Sequence, residues 1–312
     1  MSAAQDPTDL SHTIPAKRLR EKAAPAKDAG DLASRVEALI VANERLERKV
    51  DALVRHLLLD QAGLSPVDRI HAARVPMLSQ HEEAGMLVGL FRQIGFGARR
   101  FVDIGAGVNG GNSGFFALEA GWTGLLVDEA PQCIEALTQL YEGSGGCVVA
   151  WSVTPSNINH LFESHGLTGD LDLLSLDVDG PDYWVWEALT AVRPRVFVAE
   201  YNSAFGPTAA VTIPYDREFD HRALSGADKV CFGVSLTALT RLSERKGYRL
   251  ITTDRSGANA VFLRNDVGPE FPAATPEAAF RWLPKHKATV RKVGGDFLAY
   301  CASRGLALVE VA

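Results

Sequence analysis

The sequence predicts an α/β fold, a mainly parallel seven-stranded sheet flanked by helices and preceded by a long coiled-coil helix. Three observations lead there. From Arg99 onward, short apolar runs alternate with helical patterns, the signature of βαβ units in a parallel sheet. The last two apolar runs are joined by the turn-rich Asp254-Arg255-Ser256-Gly257, too short for a crossover, so they must pair antiparallel. Ahead of the sheet, residues 32–57 repeat apolar side chains in alternating steps of four and three.

Composition bounds the function. The chain has 312 residues, 46% hydrophobic and 22% charged, ample for one sizeable core plus extensions. A formal net charge of -6 supplies no basic field, so no nucleic-acid partner is expected. No uninterrupted apolar stretch reaches about 18 residues, so no membrane span is expected. Residues 1–13 are polar and include Asp6 and Asp9, where a signal peptide needs an apolar run, and cytoplasm is the default location. Cys133, Cys147, Cys231 and Cys301 lie far apart without metal-ligand spacing, and are expected to be reduced, buried thiols.

Residues 1–30 are rich in Ala, Pro, Lys and Asp and predict a disordered tail. Its basic patch (Lys17, Arg18, Arg20, Lys22) is either solvated or touches acidic partners. Residues 31–60 predict the coiled coil, with Val36, Asn43, Val50 and Leu57 at a and Leu39, Leu46 and Leu53 at d. Val at a with Leu at d favours two parallel strands, and a lone Asn at a specifies register, so a homodimer is expected. Ile40 and Val54, both at e, widen the stripe and keep open an amphipathic helix packed on its own domain. Residues 61–96 predict a helical adaptor: Gly63, Ser65 and Pro66 break the first helix, and the amphipathic stretch 82–94 is expected to cover the first edge of the sheet.

Residues 97–265 hold the sheet. Strands are expected over 101–104, 124–127, 147–151, 171–176 and 196–200, closed by the hairpin 249–252 and 259–263. Residues 266–312 form an extension with four prolines and one helix-like stretch over 290–303.

The run Phe101-Val-Asp-Ile-Gly105-Ala-Gly107 is a buried strand entering glycines that let backbone approach a ligand closely. Asn112 and Ser113 follow before the next helix. Asp103, just before the glycines, would repel a dinucleotide's pyrophosphate but suits an ammonium such as that of a methionine moiety. The second strand ends at Asp128, placed to accept hydrogen bonds from the hydroxyls of a ribose or, alternatively, to cap the following turn. Trp151 and Ser152, after the third strand, stand where an adenine is usually held, although a core Trp151 is equally open.

The run VDIGAG with an acid ending the second strand resembles the Rossmann-fold S-adenosylmethionine-dependent methyltransferases over residues 97–264. The stretch LLSLDVDGPDYW over 173–184 is similar to the FkbM-type and sugar O-methyltransferase branches. The coiled coil is not part of that pattern. The resemblance implies S-adenosylmethionine as cofactor, bound by Asp103, Gly105, Gly107, Asn112, Ser113, Asp128 and Ser152.

On the reaction side, Asp177, Asp179 and Asp182 follow the fourth strand, and Glu200 and Asn202 the fifth. If the strands continue, Asp177 and Asp179 point the same way, as do Glu200 and Asn202. Asp177, Asp179, Glu200 and Asn202 could then hold Mg²⁺ or Mn²⁺ and lower the pKa of a substrate hydroxyl. The metal-free alternative makes Asp177 or Asp179 a general base or a helix cap, and His221, in the long segment 203–234, a second base. Tyr183, Trp184, Trp186, Tyr201, Phe205 and Tyr215 suit stacking against a sugar or, equally, core packing. The expected activity is O-methylation of a small or glycan-like hydroxylated substrate. N- or carboxyl methylation without metal, and a non-catalytic assembly module, are the alternatives.

Overall fold

The computed structural model describes residues 34–43, 45–46, 50, 63–74 and 82–312. The chain divides into two compact units, Met1–Arg48 and Lys49–Ala312. In the first, residues 34–43 and 45–46 are helical, and the seam residues Val36, Leu39 and Leu46 are exposed at 47%, 69% and 58%. The tail 1–30 with its basic patch, and the seam residues Leu32, Leu53 and Leu57, lie outside the described residues.

In the second unit, Ser65 and Pro66, expected to break a helix, have a different part. They start one: α1 (Pro66–Ala72) has Ser65 as N-cap, its Oγ accepting from Asp68 N at 3.1 Å. Helix α2 follows (Glu83–Ile94). The sheet strands are β1 (Arg100–Ile104), β2 (Thr123–Asp128), β3 (Gly146–Ala150), β4 (Gly169–Leu176) and β5 (Val192–Glu200), all parallel. A short β6 (Val211–Thr212) belongs to a second sheet, and β7 (Tyr248–Thr253) and β8 (Asn259–Arg264) form the antiparallel hairpin. The seven-stranded order is β3-β2-β1-β4-β5-β8-β7, with β8 antiparallel to β5. The Rossmann-like α/β fold expected from the sequence is therefore present, and the order reverses between β1 and β4. Ligands of such sheets bind at that switch point, outside the carboxyl ends of the strands.

Both faces are covered. Helices α3 (Gly114–Glu119) and α4 (Pro131–Leu140) share one face with α2, and α5 (Ile158–Ser164), α6 (Asp182–Ala188) and α7 (Leu236–Arg245) cover the other. Alternate residues of each strand serve the two layers, so Phe101, Leu173 and Val196 meet α2 while Val102, Leu174 and Phe197 meet the other helices. The expectation that 82–94 covers the first edge is corrected. Phe91 of α2 meets Phe116 and Trp122 at ring distances of 5.6 and 4.9 Å, and its apolar face lies over central strands, while the edges are β3 and β7. Burying a side chain such as Phe91 contributes about 1.5–3 kcal/mol, which an edge position would not return.

Two other expectations change. β5 starts at Val192, before the predicted 196, despite Pro194. β5 pairs with β4 there, but its contact with β8 begins only at Val196, so the missing N–H costs no ladder bond on that side. The single helix expected over 290–303 is two. After α8 (Pro276–Ala279), α9 (Pro284–Lys292) ends before Gly294 and Gly295, at φ +99° and +93°, and α10 (Phe297–Ser303) restarts at Asp296, whose side chain accepts from Ala299 N. Strand β9 (Val309–Glu310) then pairs antiparallel with β6, tying the end of the chain to the long segment after β5. Among the described residues no helix is long and apolar enough to cross a membrane.

Candidate functional site

The carboxyl ends of β1 and β2 support a glycine loop. Gly105 (φ +80°) donates its N–H to Val127 O at 2.9 Å, and a Cβ there would collide with the Asp177 carbonyl oxygen. This close approach joins the ends of β1 and β4, and only glycine permits it. Gly107 (φ +60°) is different: a Cβ would meet nothing nearer than Asn109 Oδ1 at 3.9 Å, so its backbone faces open space. The hydroxyl of Tyr141 lies where Cβ atoms of Gly110 and Gly114 would sit and donates to Asn109 O at 2.7 Å, bracing the loop from below.

Asp103 is 1% exposed beneath this loop, its Oδ2 accepting from Ser113 N at 2.8 Å. Burial pushes its carboxyl up to about 7, against the opposing pull of hydrogen bonds from Ser113, Asn112 and Ser175. Asn112 is buried too, donating from Nδ2 to Ser175 Oγ at 3.0 Å, so these three residues lock the loop to β1 and β4. Asp128 is half-buried, its Oδ2 accepting from Gly107 N and its Oδ1 from Ala130 N, both at 2.9 Å, and its carboxylate also meets the Cys133 thiol. It orders the loop and the next turn, and the about four lone-pair sites of a carboxylate leave room for a further donor beside these. Ser152 is exposed just beyond β3, beside the half-buried Trp151.

Across the switch point lies an acid cluster. Asp177, Asp179 and Glu200 each offer one carboxylate oxygen, all within 4.8 Å of one another. The sequence reading had Asp177 and Asp179 converge by continuing β4. The strand instead ends at Leu176, and a turn brings them together with Asp179 in the left-handed region at φ +54°. Asp182, 1% exposed, organises that turn: its Oδ1 accepts from Val178 N at 2.9 Å and its Oδ2 from Gly180 N at 3.0 Å. Desolvation, then repulsion from the neighbouring acids, raises both Asp177 and Glu200 well above the usual carboxylate range, while burial holds Asp182 at about 6. Lys285, in the first turn of α9, draws Glu200 back down.

Asn202 does not join the cluster. It is 2% exposed and its amide is engaged, Nδ2 donating to Val230 O at 2.6 Å and Phe232 O at 2.8 Å and Oδ1 accepting from Ala204 N at 2.9 Å. It caps a short 3₁₀ turn (Ser203–Phe205) and anchors the segment that follows. That segment returns His221 to the acids, with Nε2 at 3.8 Å from Asp179 Oδ1, Nδ1 at 3.2 Å from Lys229 O and its ring stacked on Phe232 at 4.4 Å. Of the six aromatic residues, Tyr183, Trp186, Tyr201 and Phe205 are buried in the cores. Only Trp184, half-buried, and Tyr215, exposed, keep surface for a ligand.

Sequence reasoning missed Asp182 as organiser of the turn, and it missed Lys285 and Phe232 at the site. Pro284 as a helix start was a usable signal for the first turn of α9; nothing local marked Phe232.

No protein-family model matches the chain, and no curated protein matches it in sequence. Among solved structures it is similar to the N-terminal domain of EvdMO1, crystallised in the presence of SAH and D-fucose (10% identity, 60% of this chain and 84% of that one, TM-score 0.38). It is also similar to an S-adenosylmethionine-dependent methyltransferase from Clostridium acetobutylicum ATCC 824 (9% identity, 58% and 89%, TM-score 0.38). A third is the methyltransferase domain of bacterial CtHen1-C (14% identity, 58% and 95%, TM-score 0.37).

Proposed function

We propose that the chain is an S-adenosylmethionine-dependent O-methyltransferase for a small or glycan-like hydroxylated substrate, acting as a homodimer. The observation that carries this reading is the pairing at the switch point of an open glycine loop with a cluster of acids and a histidine. Gly107 and the Asp128 carboxylate fit the backbone approach and ribose hydroxyls of an adenosyl group. Bound there, the coenzyme supplies a methyl group on sulfur, which an oxygen nucleophile displaces in line.

The chain's own residues then position and deprotonate the acceptor. Asp177, Asp179 and Glu200 are hard oxygen donors at mutual distances that fit Mg²⁺ or Mn²⁺, and a bound divalent cation would acidify the acceptor hydroxyl. Their mutual repulsion, which adds to burial in raising Asp177 and Glu200, is what a cation would relieve. His221, backed by Asp179, is the group we assign to take the proton. The metal-free reading keeps the same histidine and leaves a shared proton on the acids. The exposed seam residues Val36, Leu39 and Leu46 support dimerisation through the coiled coil.

Calorimetry tests the reading. S-adenosylmethionine should bind the full chain, and Asp128→Ala should lower its affinity at least about tenfold, since charge-assisted hydrogen bonds contribute about 1.5–3 kcal/mol each. Chelation should abolish turnover and spare coenzyme binding. No binding to the wild type sinks the methyltransferase; full turnover in excess chelator, with no metal by elemental analysis, sinks only the cation.

A further inference from the structure

Four scattered cysteines gave the sequence no pairing, but the fold makes one. Cys231, at the end of the 3₁₀ segment Gly226–Val230, and Cys301, in α10, are 70 residues apart in the chain. Their Sγ atoms lie 3.0 Å apart, in hydrogen-bond contact as free thiols, and the two residues are 2% and 0% exposed. A disulfide needs about 2.05 Å, so closing the bond asks each sulfur to move by only about half an ångström.

The surroundings hold this alignment. The Asp228 carboxylate accepts from the Tyr300 hydroxyl at 2.6 Å and from Arg304 Nε and a terminal guanidinium N–H at 3.2 and 2.9 Å, clamping α10 to the segment that carries Cys231. Phe205, Val211, Val290 and Phe297 close an apolar shell around the sulfurs. On the other side, the residues flanking Cys231 lead to the acid cluster. The carbonyls of Val230 and Phe232 are the two acceptors of Asn202, and the Phe232 ring stacks on His221.

We propose that Cys231 and Cys301 are an oxidative modification site, forming an intrachain disulfide that staples the C-terminal extension to the wall carrying Phe232 and His221. The oxidant is a peroxide. One thiolate attacks a peroxide oxygen, the O–O bond breaks and a sulfenic acid forms with release of water. The second sulfur then displaces that oxygen as a second water. Two thiols and one hydrogen peroxide thus become one disulfide and two waters, sulfur giving up the two electrons that the peroxide takes. Burial makes entry of peroxide through local opening of α10 the slow step, and dithiothreitol reverses the product.

The experiment treats the full-length protein with hydrogen peroxide, denatures it in an alkylating agent and maps the peptides. Linked Cys231 and Cys301 peptides are expected, with a mass lower by two hydrogens and an unchanged monomer on a denaturing gel. The melting temperature should rise by roughly 5–10 °C, because the bond closes a long loop, and should return with dithiothreitol. Cys301→Ala should show neither change. The peptide map of the wild type decides the bond even if that variant fails to fold. Alkylated Cys231 and Cys301 after a treatment that oxidises the exposed Cys147 would overturn the proposal. Linked peptides with no rise in melting temperature would overturn the staple.

Discussion

Asp103→Asn isolates the electrostatic cost of the glycine loop. In the folded chain the Asp103 carboxyl is pushed from 3.8 to about 7, chiefly by burial. A raised carboxylate makes the folded state hold its proton longer than the unfolded state does, so stability falls as pH rises. The loss begins above 3.8 and is complete a little above 7. A shift of about three units corresponds to about 4 kcal/mol, and between about pH 4.5 and about pH 8 the wild type should lose roughly 3 kcal/mol of it. Asparagine keeps an oxygen for the Ser113 N–H and cannot ionise. Asp177, Asp182 and Glu200 are raised as well, and a difference between the two proteins removes the cost of their own burial; the part of the Asp177 rise that the Asp103 charge causes is lost in the variant and counts toward its gain. The assay is urea denaturation of both proteins at the two pH values. The variant should gain roughly 2–3 kcal/mol on the wild type in going to the higher pH. Parallel stability profiles would mean that Asp103 ionises normally, and the account of a buried carboxylate holding the loop would fail.

Gly105→Ala should destabilise the domain by about 3 kcal/mol or more and abolish coenzyme binding, since it combines left-handed strain with a collision against the Asp177 carbonyl; a soluble variant that still binds in calorimetry refutes this. Glu200→Gln should raise the melting temperature of the metal-free protein at about pH 8, by roughly 2–4 °C for each kcal/mol of burial and repulsion cost relieved, and should leave it unchanged near pH 4, where the native glutamate is protonated. The same variant should lose turnover, so a thermal scan and an activity assay that move together in the same direction would exclude the assigned role. Deleting residues 1–60 should leave a folded domain of lower oligomeric order, and Asn43→Leu should stabilise the full-length assembly while loosening its two-chain preference. Light scattering that finds a monomeric full-length chain refutes the seam as an interface.

What the sequence determined by itself was everything written in local period and local chemistry. Seven strands announced themselves by apolar runs, because a two-faced sheet between helices needs them. The glycines at 105 and 107 followed directly from a strand, and Asp128 ended the next one, so the glycine loop could be placed by counting. The hairpin was legible because four turn residues cannot span a crossover. The split after Val290 was legible in Gly294 and Gly295, though the apolar spacing on either side concealed it. The tertiary structure alone decided which polar groups share the site. Asn202 was drawn away to cap a turn, while His221, 42 residues beyond Asp179, was carried back to within 3.8 Å of it. Asp179 reached the cluster through a left-handed turn locked by Asp182, where strand alternation had offered a different geometry. Four aromatic residues went into the cores, and two cysteines 70 positions apart met in the C-terminal extension. Strands and helices follow from neighbours a few residues apart, whose spacing the sequence records. Convergence depends on how crossovers and the long segment after β5 fold back, and that is set by burial summed over the whole core.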